Sequence, residues 1–220
     1  MTSRVDRTLS GVLTIAAVAM VVLAVRREIS PQSSGPPASV RGVFDPEWQS
    51  LMHEGVLVGN ASAPIKIIEF VDFECPVCRV AHQSVMREAK KRYGDRMAVW
   101  YVHFPLANHR FARVAAQASE CAEMEGYFGP FVDLAFAKQD SFGLKTWASY
   151  AHEVGITDTV KFSQCAATLP ISSRIDSGSA HARRKAIAGT PTFFINGVRF
   201  DGAPGSDGLF QIGDSAIRRR

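Results

Sequence analysis

An apolar run, Ile65-Lys66-Ile67-Ile68-Glu69-Phe70-Val71, is broken only by Lys66 and Glu69. Such a run, rich in β-branched and aromatic residues, predicts a strand extending to Phe73. A helical pattern follows from Cys75 to about Arg92 and stops near Gly94. Met97 to Phe104 predicts a second strand, ended by Pro105. Strand, helix, strand in this order implies a parallel pair. Helical patterns then cover Arg110–Glu125, Phe128–Lys138, Leu144–Val154, Asp158–Ala167 and Ser172–Ala188. Thr192–Ile195 and Val198–Phe200 flank Asn196-Gly197, which reads as a two-residue hairpin turn. Asp45 to His53 suggests a short helix. The glycines at 202, 205, 208 and 213 leave the C-terminal tail with at most a short, weak helix.

A different pattern occupies the N-terminal end. Leu9 to Val25 is a run of 17 positions without a charge. As a helix it would span roughly 25 Å, just short of a ~30 Å hydrocarbon core. It is long for a signal peptide, and Val25-Arg26-Arg27 is not a small-residue cleavage site. The expectation is an uncleaved transmembrane helix, with a cleaved signal segment as the alternative reading. Arg4 and Arg7 precede it and Arg26 and Arg27 follow, so the positive-inside rule does not orient it. The polar, proline-bearing stretch at 30–39 reads as a linker. The organisation expected is a flank at 1–8, a membrane segment at 9–25, a linker at 26–44, a domain at 45–205 and a tail at 206–220. That domain would carry a helical insertion at about 106–188.

Composition narrows the function classes. The chain has 220 residues, 46% hydrophobic and 21% charged, with a net charge of +4. This is ordinary globular composition. The basic clusters Arg183-Arg184-Lys185 and Arg218-Arg219-Arg220 read as solvated faces, and no basic stripe interleaved with aromatics argues for a nucleic-acid partner.

The chemistry concentrates at Cys75-Pro76-Val77-Cys78, between the first strand and the helix. A cysteine at a helix N-terminus meets unpaired N–H groups and the positive end of the dipole, so Cys75 is the better thiolate. Pro76 fits the first helical turn, where its missing N–H costs nothing. A zinc site would need a second ligand pair at short spacing, and the sequence has none; Cys121 and Cys165 are isolated. A c-type haem needs His directly after the second Cys, where Arg79 stands. No metal or cofactor is therefore expected. His103, His109 and His152 lack metal-like spacing and read as structural or surface residues. Glu69, amid apolar neighbours, is expected to be buried and to hold its proton more readily than in water. Four cysteines, two in a redox motif, suit an oxidising compartment outside the cytoplasm.

Two motifs together carry a resemblance. Glu69-Phe70-x-Asp72-Phe73-x-Cys75-Pro76-x-Cys78 and Gly189-Thr190-Pro191-Thr192-Phe193-Phe194-Ile195-Asn196-Gly197 resemble the DsbA-like thiol–disulfide oxidoreductases over about residues 55–204. The resemblance implies an α/β thioredoxin-like fold carrying an inserted all-helical subdomain. It implies Cys75 as nucleophile, Cys78 as resolving thiol and Glu69 as proton relay for Cys78. Pro191 would be cis, and Pro76, Val77, Thr190 and Pro191 would meet an extended substrate segment. The substrates implied are cysteine-containing proteins, with a quinone-linked membrane protein as recharging partner or a thiol donor if the chain works as a reductase. For Cys121 and Cys165 two readings stand: bonded to each other, as a similar pair recurs in some relatives, or two buried free thiols. The family's strong oxidants have a His where Val77 stands. Val77 has nothing to donate, and Asp72 and Glu74 add negative charge nearby, so a weaker oxidant is expected, with reductase and isomerase roles open. The competing class is a peptide-binding chaperone module in which the cysteines only staple the fold.

Overall fold

The computed structural model describes residues 42–168 and 173–219 and, ahead of them, Met20. The segment 9–25 otherwise lies outside the described residues, among which no helix is long and apolar enough to cross a membrane.

Six strands form one sheet: β1 (Val43–Phe44), β2 (Val56–Gly59), β3 (Ile65–Val71), β4 (Met97–His103), β5 (Thr192–Ile195) and β6 (Val198–Asp201). Their spatial order is β1-β6-β5-β3-β4-β2. β3 and β4 are parallel, with Glu69 opposite Tyr101; the other pairings are antiparallel. β3 is central and buried along its length apart from Lys66, which explains its near-continuous apolar sequence. One face, with Ile65, Ile67, Val71, Val99 and Tyr101, packs against the helix that follows the two cysteines. The other, with Ile68, Phe70, Trp100, Val102 and Phe194, packs against Trp48, Leu51, Ala182 and Ile187.

That helix runs as α1 (Pro76–Ala81), a π-turn (His82–Met86) and α2 (Arg87–Tyr93). Between β4 and β5 come α3 (Ala112–Met124), α4 (Phe128–Ala137), α5 (Trp147–Glu153), α6 (Thr159–Thr168) and α7 (Ser173–Arg184). They form the helical insertion, packed around Phe131, Phe136, Tyr150 and Phe162. Cys121 on α3 and Cys165 on α6 are joined by a disulfide with Cα atoms 6.0 Å apart.

Several expectations are corrected. The first strand ends at Val71 rather than Phe73, because Asp72 turns into the loop that carries the cysteines. The helix expected at 144–154 begins only at Trp147, where Thr146 caps it by accepting from the Ser149 N–H at 3.2 Å. The short helix near 45–53 is a 3₁₀ turn over Trp48–Glu54. The expected domain edges fall short at both ends, since β1 pairs with β6 and the tail folds. That tail is α8 (Gly205–Arg218), a 14-residue helix whose Leu209 is fully buried. The glycine argument fails at Gly213. A Cβ there would lie 2.7 Å from the Tyr93 hydroxyl, so the missing side chain is what lets α8 lie against α2.

Candidate active site

The site begins where β3 runs out. Asp72 is buried, and its carboxylate accepts from the Glu74 N–H (2.8 Å), the Leu106 N–H (2.8 Å) and His109 Nδ1 (2.7 Å). Glu74 in turn accepts from the Phe111 N–H. Two acids before the cysteines thus pin this loop to the segment entering the insertion. Burial works against a cation on His109, but the Asp72 carboxylate outweighs it and raises its pKa. A second anchor comes from Gln139, just beyond α4. Its buried Nε2 donates to the carbonyls of Phe73 (2.7 Å) and Cys75 (3.0 Å).

With its loop fixed, Cys75 takes the N-cap position of the helix, in extended backbone with φ −68° and ψ 121°. Both cysteines are free thiols; Cys75 is 4% exposed and Cys78 fully buried. The Cys75 Sγ lies 3.3 Å from the Thr190 carbonyl oxygen, and the Thr190–Pro191 peptide bond is cis. The two halves of the sequence pattern, 115 residues apart, therefore meet.

The two thiols are driven apart electrostatically. The Cys78 thiol, hydrogen-bonding to Cys75, is the largest influence lowering the Cys75 pKa; burial opposes it, while the Thr190 side chain and the Val77 and Cys78 N–H groups add to it. The result is a thiol pulled down to about 5. The Thr190 hydroxyl is buried with no other partner among the described residues, which leaves it free to turn to a thiolate. Cys78 is pushed far up, first by burial and then by its bond to Cys75 and the charges of Glu69 and Cys75. The main influences on the Cys75 pKa are Cys78, burial, Thr190 and the Val77 N–H, while the Asp72 and Glu74 carboxylates are engaged in holding the loop through Glu74, Leu106, His109 and Phe111.

Glu69 is fully buried on the cysteine-bearing face, between Tyr101 of β4 and Phe193 of β5. Among the described residues neither carboxyl oxygen has a hydrogen-bond partner. Burial, with a smaller push from the Cys75 charge, raises it to about 8, so it carries a proton at neutral pH.

The structure thus gathers Glu69, Cys75, Pro76, Val77, Cys78, Thr190 and Pro191 at one end of the sheet, with Val77 54% exposed beside the thiol. Cys121 and Cys165 stand apart, in the insertion. His103 is buried against Glu120, its Nε2 at 2.9 Å, and takes no part in the dithiol. Sequence reasoning missed Gln139 and the Asp72–His109 pair. Among the described residues no cluster of His, Cys, Asp or Glu could hold a metal ion.

Comparison with known proteins agrees with this architecture. BdbD from Bacillus subtilis, in its oxidised form, superposes with a TM-score of 0.68 at 19% identity, covering 82% of this chain and 98% of that one. Wolbachia pipientis alpha-DsbA1 gives 0.62 at 25% identity, covering 74% and 92%. The Na(+)/H(+) antiporter NhaA 3 of Salinispora tropica is 36% identical over 145 residues, which is 66% of this chain. The chain spans only 22% of that protein's length, so antiport does not carry over with the match. The family model described as thioredoxin matches residues 52–212, from the 3₁₀ turn before β2 to α8. With that match covering most of the chain and the sheet, the paired thiols and the cis-proline in the expected relation, the chain belongs to the thioredoxin family.

Proposed function

We propose that the chain is a DsbA-like thiol–disulfide oxidoreductase acting on cysteines of protein substrates through Cys75 and Cys78. The observation that carries this reading is the division between the two thiols: one pulled down to about 5 at a helix start, the other pushed far up and buried behind it. In the oxidising direction a substrate thiolate attacks the Cys75 sulfur of the Cys75–Cys78 disulfide. The S–S bond breaks, a mixed disulfide forms at Cys75, and Cys78 leaves. Cys78 is a poor leaving group as a free thiolate, and the proton held by Glu69 is the one to neutralise it. A second substrate thiolate then attacks the substrate sulfur of the mixed disulfide and releases Cys75 as a stable thiolate. The substrate is oxidised by two electrons and the protein reduced by two. The reverse sequence reduces or isomerises substrate disulfides.

Thr190 and Pro191, with Pro76 and Val77, form the groove edge for an extended substrate segment, by strand addition next to the sulfur. A Cys75 pKa of about 5 lies between the ~7 of thioredoxin and the ~3.5 of DsbA. The potential should accordingly fall between about −270 and −120 mV. An extracytoplasmic location fits the Cys121–Cys165 disulfide. Anchoring through the apolar run at 9–25 and recharging by a quinone-linked membrane protein complete the reading.

Trapping tests it. Cys78→Ser should accumulate reductant-sensitive covalent complexes with reduced protein substrates, and Cys75→Ser should not. Equal trapping by both would reverse the roles. Unchanged disulfide exchange in both would remove the enzyme reading in favour of a peptide-binding module.

A further inference from the structure

One well-formed cavity lies away from the dithiol. It has a volume of about 450 Å³ and lies between the helical insertion, the π-turn and the β2–β4 edge of the sheet. Neither Cys75 nor Pro191 lines it. Its size is within the ~300–1,000 Å³ of small-molecule pockets. Val58, Met86, Met97, Val99 and Tyr101 give it an apolar interior. Methionine walls adapt to differently shaped apolar guests.

Two further features mark this cavity as built rather than left over. The first is the π-turn. The Arg87 N–H donates to the His82 carbonyl five residues back, and His82, Gln83 and Met86 of this turn line the cavity. Such a turn inside an α-helix is sparse and is found frequently at functional sites. The second is Gly129 of α4, which lines the cavity one turn before Asp133. A Cβ there would meet only the Val58 methyl carbons, at 3.5 and 3.9 Å, so no backbone clash demands glycine. Gly129 is the second residue of α4, and the missing side chain there keeps this side of the cavity open.

The rim sets the polarity of the guest. His82 Nε2 bonds Asp133 at 2.8 Å, and Lys90 Nζ lies 3.5 Å from the same carboxylate. The Asp133 charge is therefore matched. Arg87, one turn before Lys90 and also on the rim, has no ion-pair partner within bonding distance among the described residues. Asp95 is the remaining carboxylate at the mouth. From these positions we infer that the cavity is a binding site for a small amphiphile with a carboxylate head, its alkyl body against Met86, Met97, Val99 and Tyr101 and its head at Arg87 and Lys90.

The inference is independent of the dithiol chemistry and is tested without it. The full chain, reduced, is titrated by calorimetry with octanoate and separately with octyltrimethylammonium, both below their micellar concentrations. Saturable binding of octanoate, and weaker binding of the cation, is expected. Gly129→Leu fills the cavity with a better helix former and should weaken octanoate about tenfold or more while leaving the alkylation rate of Cys75 unchanged. Arg87→Gln should weaken it about fivefold, with Asp95→Asn neutral or tighter. No saturable octanoate binding, equal binding to Gly129→Leu, or a preference for the cation would each overturn the assignment.

Discussion

Gln139 donates from one Nε2 to the carbonyl of Cys75 at 3.0 Å, across 64 residues of sequence. The same nitrogen reaches the Phe73 carbonyl at 2.7 Å, so one insertion side chain brackets the turn from β3 into the cysteine-bearing helix. Removing it leaves two buried carbonyls without this donor. Gln139→Ala should cost about 1–3 kcal/mol of stability in denaturant titrations of the reduced protein. It should also slow thiol exchange, because the Cys75 main chain loses its outer support. A loss of stability with exchange unaltered would make Gln139 a packing residue only.

The opposed thiol and carboxyl groups predict a distinctive pH dependence. Glu69 is raised to about 8 in the fold, so the unfolded chain releases this proton first, and stability falls as pH rises from about 4.5 to 8. Cys75 is lowered to about 5, so its contribution has the opposite sign: it is present above about 9 and lost as pH falls through 5. Each has a limiting slope of about 1.4 kcal/mol per pH unit, and between about pH 5 and 8 they oppose one another. The reduced wild-type protein should show little slope there from this pair. Glu69→Gln should expose a stability rising with pH, and Cys75→Ser one falling with pH, in paired denaturation series. Parallel pH profiles in the two variants would contradict the pairing.

The Cys121–Cys165 bond closes a loop with a sequence separation of 44. For a loop of that length the chain-entropy model gives roughly 4 kcal/mol, an upper-end figure because residual structure in the unfolded chain subtracts from it. The double variant Cys121→Ala/Cys165→Ala should lose up to that amount while keeping the Cys75 thiolate. Non-reducing peptide mapping should recover the two peptides linked; alkylatable thiols at both positions would refute the bond.

Val77 offers only its main-chain N–H to the thiolate. Because its side chain is largely exposed beside the sulfur, Val77→His should fold normally. An imidazolium there adds a positive charge next to the thiolate and should move the Cys75 pKa below 5 and the potential toward oxidising values. A more reducing potential in glutathione equilibration would contradict this electrostatic picture.

Local patterns carried most of the fold because they coincide with burial. Ile65–Val71 is an apolar run since β3 is covered on both faces, and Asn196-Gly197 makes the turn that its two residues favour, with both at positive φ. The misses are tertiary. Val56–Gly59 is four residues long and becomes a strand only by pairing with β4. The α8 helix forms despite its glycines because Leu209 is buried and Gly213 fits against Tyr93, which packing decides and propensity does not. At the site, Cys75, Cys78, Pro191 and Glu69 were readable from spacing, apolar context and resemblance. Gln139 was not, because its partners are two main-chain carbonyls distant in sequence. The anchoring role of Asp72 and Glu74 is hidden in the sequence for the same reason: the donors they bind, at Leu106, His109 and Phe111, come from a separate segment.

The most direct test of the division between the two thiols is the rate of alkylation of each as a function of pH, read peptide by peptide on the reduced full chain by mass spectrometry. Cys75 should react first, with a midpoint near pH 5, while Cys78 stays unreactive across the range. A Cys75 midpoint near an ordinary thiol value of about 8.5, or Cys78 reacting ahead of it, would contradict the assignment of Cys75 as the nucleophile.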